Sequence, residues 1–149
     1  MESDGLFPEF RMEVKLDEDY TLIGIADLII KEGNKVKIVD FKTADKIEMK
    51  SRYELSKKKK ASFKYPISNI EDCNYNEYTL QLSIYAWLLR NLFPTLEVTS
   101  LEIYHIQDMK LKKIYPVTEM KEEVEKLIPY HLKSVKLKRE CDKCREITY

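Results

Sequence analysis

The sequence predicts an α/β fold: a mixed sheet of four to five strands, the first three forming a meander, flanked by helices. Three observations predict it. Apolar and polar residues alternate from Phe10 to Leu16, which is the period of a strand with one buried face. Two more apolar stretches, Thr21 to Ile30 and Lys35 to Phe41, follow with only turn residues between them, as in consecutive hairpins. From Tyr78 to Leu92 the spacing changes, because Leu80, Ile84, Trp87, Leu88 and Leu89 recur at three and four residues, the period of a helix.

Taken in order, Phe10, Met12, Val14 and Leu16 face one side of the first strand, and Asp17 to Asp19 supply a turn. The second strand is apolar throughout except for Asp27, and Glu32, Gly33 and Asn34 close it. Ala44 to about Asn74 is polar and lysine-rich without a sustained period; it reads as a long loop or insertion, over about residues 44–75, with at most a short helical turn. The helix beginning at Tyr78 should stop before Pro94. Val98 to Gln107 reads as a fourth strand, and Ile114 to Val117 pairs back on it through a turn at Asp108 to Lys110. Thr118 is placed to cap a last helix with Glu119, Glu122 and Glu123 in its first turn and Met120, Val124, Leu127 and Ile128 on its inner face. Pro129 should break or kink it.

A chain of 149 residues with 44% hydrophobic content supports one core, so residues 1–149 read as a single domain. Its 26 basic and 26 acidic residues cancel, and overall charge therefore selects no class of partner. The start lacks a signal-like apolar run and no stretch approaches a membrane span, so a soluble, cytoplasmic protein with no membrane partner is expected. Cys73, Cys141 and Cys144 do not make the even framework of a small secreted domain. The lone CxxC of Cys141 and Cys144 has no second pair, so neither zinc nor an iron-sulfur cluster is expected there.

Chemistry gathers on the second and third strands. Asp27 lies amid apolar residues, where an unpaired carboxylate is costly to bury. Asp40 ends the following strand, close enough across a hairpin for both carboxylates to face one hard divalent cation such as Mg2+. Lys42 stands two residues on, on the same strand face, where an ammonium can orient water and steady charge on a phosphate. On the helix, Gln81 and Tyr85 are four apart and share a face.

Gly24-Ile25-Ala26-Asp27, then Val39-Asp40-Phe41-Lys42-Thr43, then Gln81-Leu82-Ser83-Ile84-Tyr85, resemble the successive motifs of the PD-(D/E)XK nuclease superfamily. The similarity is to its RecB-like, Cas4-like exonuclease branch, which includes the mitochondrial genome maintenance exonuclease and many phage enzymes. That resemblance covers roughly residues 9–106. It implies a restriction-endonuclease-like core and a Mg2+- or Mn2+-dependent nuclease hydrolysing DNA phosphodiester bonds, an exonuclease of DNA processing, repair or recombination. It further implies Asp27, Asp40, Lys42, Gln81 and Tyr85 as catalytic residues, with the metal held by Asp27, Asp40, the backbone carbonyl of Phe41 and an acidic residue of the first strand. Glu9 and Glu13 share a face of that strand, and the spacing does not choose between them, although Glu13 is the one carried forward as a ligand. Lys46, Lys57, Lys58, Lys59, Lys60 and Lys64, interleaved with aromatics, are candidates for following a nucleic-acid backbone. Many relatives carry a helix before the first strand, so a partner chain supplying it is one expectation. A catalytically idle module that binds nucleic acid or protein is the competing one.

Overall fold

The computed structural model describes residues 1–50, 53–54 and 59–147, with side chains described over 1–50 and 61–141. Five strands form the main sheet: β1 (Gly5–Lys15), β2 (Thr21–Glu32), β3 (Lys35–Lys42), β6 (Glu97–Gln107) and β7 (Lys110–Val117). They lie in the order β1-β2-β3-β6-β7. All neighbours are antiparallel except β3 and β6, which run parallel. A parallel pair needs a crossover, and here it carries α1 (Asn74–Leu92). The mixed α/β sheet flanked by two helices is therefore the architecture expected from the sequence.

Several boundaries move. β1 begins at Gly5 rather than near Phe10, and α1 begins at Asn74 rather than Tyr78. Both added segments are polar or irregular and carry little periodic signal. The insertion is more built than a loop. It holds the short hairpin β4 (Tyr53–Glu54) and β5 (Lys59–Lys60), and it buries Ala61, Ile67 and Cys73. Ser62 bridges Glu71, and Asp72 donates its backbone N–H to the Ala61 carbonyl at 2.9 Å.

The last helix, α2 (Lys121–Ile147), runs on through Pro129 instead of ending there. Proline removes one helical hydrogen bond and crowds the carbonyl four residues back. Glu125 and Pro129 are both exposed, so water can serve the carbonyl left over. Thr118 does not supply the cap. Val124 donates to the Met120 carbonyl, which makes Met120 the cap position, and the Met120 N–H is taken by Ser83 Oγ of α1 at 2.9 Å.

One face of the sheet and α1 share the core. Met12, Ala26, Ile29, Val36, Ile38, Leu101 and Ile103 from the strands meet Leu82, Tyr85, Ala86, Leu88 and Leu89 from the helix. The valine, leucine, isoleucine and methionine side chains among them stabilise by about 1.5–3 kcal/mol each when fully buried. A Cβ built on Gly24 would fall 2.7 Å from Leu88 Cδ1 and 3.0 Å from Tyr85 Cε1. The missing side chain is what lets α1 close on β2, and it sets the height of Tyr85 above the sheet. α2 packs on α1, Glu119 just before it pairs with Arg90 of α1, and its later turns reach the β1–β2 turn through Lys136 and Asp17.

Candidate active site

The strand ladder itself opens the site. β2 and β3 are paired from Glu32↔Lys35 to Leu28↔Val39 and no further, whereas β3 continues beside β6 to Lys42↔His105. At the next step, where Asp27 would face Asp40, the side chain replaces the ladder. Asp27 Oδ2 accepts the Phe41 backbone N–H at 2.8 Å. The outer strand changes at the same level, because Pro8↔Leu28 and Phe10↔Ala26 put Glu9 in line with Asp27, and Glu9 has φ 48°. Non-glycine residues rarely adopt that left-handed conformation, and it clusters at functional sites.

Asp40 is 2% exposed. Lys42 Nζ stands 2.9 Å from Asp40 Oδ2, but off the hydrogen-bonding direction, and that buried oxygen has no hydrogen-bond partner. Burial, and then the contact with the Asp27 carboxyl, push the Asp40 carboxyl up to about 6, against the pull of Lys42 in the other direction. Two touching carboxyls are favourable only with a proton or a cation between them.

Lys42 is oriented from the helix side. Its ammonium donates to Gln81 Oε1 at 3.0 Å, and Gln81 Nε2 donates to the Tyr85 hydroxyl at 2.8 Å. This relay fixes which way the amide points and leaves the tyrosine its own proton to give. Burial, partly offset by Gln81, raises the Tyr85 phenol, and the Asp40 and Asp27 charges push the same way. The phenol therefore stays protonated.

The structure thus brings together Asp27, Asp40, Lys42, Gln81 and Tyr85. It does not bring Glu13, which is exposed and pairs with Arg11 at 2.8 Å. Glu13 lies opposite Ile23, four residues, or about 13 Å, along β2 from Asp27. The register decides what the spacing left open: the acidic residue of β1 in line with the site is Glu9. Phe41 sends its side chain away from the core, 40% exposed, with its ring 5.9 Å from that of Tyr104. Lys46 and Lys64 are exposed; Lys57 and Lys58 lie outside the described residues, as do the side chains of Lys59 and Lys60.

Two residues at this site went unread in the sequence. Tyr78 places its ring 4.5 Å from Lys42 Nζ, and its position three before Gln81 was the available signal. His105, 2% exposed, pairs through Nε2 with the Ala44 carbonyl. It ties down the chain just past Lys42, a contact between distant segments that leaves no local trace.

The donor set fits a hard divalent cation. Asp40 offers a buried oxygen without a hydrogen bond, and Asp27 keeps one oxygen clear of the Phe41 N–H. Among the described residues, no group of three or more His, Cys, Asp or Glu gathers, so any further ligands would be carbonyl oxygens or water, as Mg2+ accepts readily. No helix among the described residues is long and apolar enough to cross a membrane.

A family model described as the PD-(D/E)XK nuclease superfamily matches residues 2–148. No curated protein matches the chain. Among solved structures, the chain is similar to the one called "Putative exonuclease" from Eubacterium rectale. The two share 15% identity at a TM-score of 0.51, over 89% of this chain and 43% of that one. It is also similar to SSO0001, with 18% identity at a TM-score of 0.43, over 76% of this chain and 42% of that one. The chain therefore spans less than half the length of either protein.

Proposed function

Because the chain belongs to the PD-(D/E)XK nuclease superfamily, we propose that it is a Mg2+- or Mn2+-dependent deoxyribonuclease, acting as an exonuclease in DNA processing, repair or recombination. The observation that carries this reading is the buried Asp40 carboxylate, an oxygen of it unsatisfied, held beside Asp27 with Lys42 at 2.9 Å. Two carboxylates set to repel are costly without a cation, and with one they form a site for hydrolysis.

In this reading Asp27, Asp40 and the Phe41 carbonyl would hold the cation, which would supply a lowered pKa for a bound water and stabilisation of phosphate charge. Lys42 orients the attacking water and balances charge on the phosphate. Gln81 and Tyr85 keep Lys42 in place. Lys46, Lys64 and the run Lys57 to Lys60 follow the DNA backbone, which makes affinity salt-dependent.

Blunt, tailed, circular and single-stranded DNA incubated with Mg2+, Mn2+ or EDTA test the proposal. Cleavage of the substrates with ends, abolished by EDTA, is the expected result. Cleavage undiminished by the chelator would reject the metal mechanism. Neither Mn2+ uptake by calorimetry nor cleavage of any substrate would instead favour the idle binding module.

A further inference from the structure

We propose that Tyr78 is a positioning residue for Lys42, holding the ammonium against the face of its ring while Gln81 and Asp40 hold it by hydrogen bond and charge. The catalytic consequence rests on the nuclease reading above; the contact itself does not. Lys42 Nζ lies 4.5 Å from the ring centroid, within the range where the negative face of an aromatic ring attracts a cation. The lysine side chain is 22% exposed, and such attraction grows as water is removed. Packing fixes the ring, since Tyr78 rests partly buried against the core shared by the sheet and α1. It stands three residues before Gln81 on the same helix, so both contacts arrive from one rigid face.

The three contacts differ in kind. The one to Asp40 depends on that carboxylate keeping its charge for the lysine, and a divalent cation at the same oxygen competes for it. Gln81 and Tyr78 then remain to hold the ammonium. Gln81 occupies one N–H. A ring face occupies none in a fixed direction, so Lys42 keeps donors for water or a phosphate oxygen. A second hydrogen-bonding residue in place of Tyr78 would consume one of the two that remain. The tyrosine hydroxyl has no part in this, and phenylalanine should serve as well.

Two measurements decide it. In metal-free protein the Lys42 side-chain methylene nearest the ammonium should resonate upfield of the other lysines, because it sits over a ring; Tyr78→Phe should keep that displacement and Tyr78→Leu should lose it. In single-turnover cleavage, Tyr78→Phe should stay within about twofold of the parent and Tyr78→Leu should be slower by about 2- to 30-fold, the range of such contacts. KM and Mn2+ affinity should change little. Fluorinated phenylalanines at position 78 keep the ring while draining its negative face, so the rate should fall stepwise with each fluorine at unchanged melting temperature, and this series decides even if Tyr78→Leu does not fold. A flat rate across the series, or an unchanged Lys42 resonance in Tyr78→Leu, would overturn the proposal. A parent protein that cleaves nothing would reject the nuclease reading instead, and the resonance would still report on the contact.

Discussion

The two halves of β3 have almost the same neighbours and opposite characters. From Lys35 to Val39 the strand is laddered on both flanks, to β2 and to β6, and its inward side chains Val36 and Ile38 are buried among apolar neighbours. From Asp40 to Lys42 only the β6 ladder continues, and on the other flank a carboxylate has taken the place of a backbone carbonyl. The first half is closed and does nothing but hold. The second half is open because β2 leaves it, and the opening places charged groups at the edge of a core that would otherwise exclude them. Packed core and candidate site are therefore separate along the eight residues of one strand.

That separation can be broken most forcefully at Lys42. Lys42→Ala should lower single-turnover cleavage by roughly two to four orders of magnitude, with Mn2+ affinity largely retained. A large drop in melting temperature with cleavage intact would show the lysine to be a structural counter-ion and would remove the distinction between the halves. The matching substitution in the closed half is Ile38→Ala. It should cost about 2–5 kcal/mol in denaturant unfolding through the cavity it leaves, while the folded fraction cleaves at the parent rate. A rate that falls in proportion to stability would mean that the two halves are not independent.

A smaller effect should come from the place where the helix meets the open half. Gly24→Ala puts a methyl where Leu88 and Tyr85 already stand, costing about 1–3 kcal/mol by overpacking. Because Tyr85 must move with the helix, cleavage should also slow. Unchanged cleavage in this variant would detach Tyr85 from the machinery.

The smallest effect sharpens the comparison by pH. Asp40 is raised from 3.8 to about 6 in the native state, so the folded protein keeps a proton that the unfolded chain has already released. Its contribution is favourable below the lower value and is lost as pH rises through about 6. In EDTA the melting temperature should therefore fall across that window for the parent and less steeply for Asp40→Asn, and Mn2+ should restore the parent at neutral pH. An identical slope in both proteins would show that Asp40 carries no such cost.

Much of this was legible because the informative residues repeat at short range. Alternation marked β1, apolar runs between turn residues marked β2 and β3, and one misplaced charge in an apolar strand marked Asp27. The four-residue interval marked Gln81 and Tyr85 as companions on α1. What was not legible depends on register or on distant partners. Glu9 and Glu13 have the same local pattern, and only the pairing of β1 with β2 separates them. Ser83 capping α2 in place of Thr118, and His105 holding Ala44, are contacts between segments far apart in sequence. The helical turn from Asn74 to Glu77 is polar, and Pro129 reads as a stop until its surroundings show room for water.

The unusual backbone at Glu9 reaches beyond the site. β1 is an outer strand of the sheet, and an outer strand with regular, unoccupied N–H and C=O groups is a template on which another chain can aggregate. Pro8 presents no N–H at all, and the left-handed residue beside it breaks the straight run on which a foreign strand would have to align. The other outer strand, β7, carries Lys110, Lys112, Lys113 and Pro116, which discourage the same event by charge and by a missing donor. Straightening β1 at Glu9 would therefore lower the barrier to fibrous self-association, because the irregularity that adjoins the candidate site also interrupts the edge.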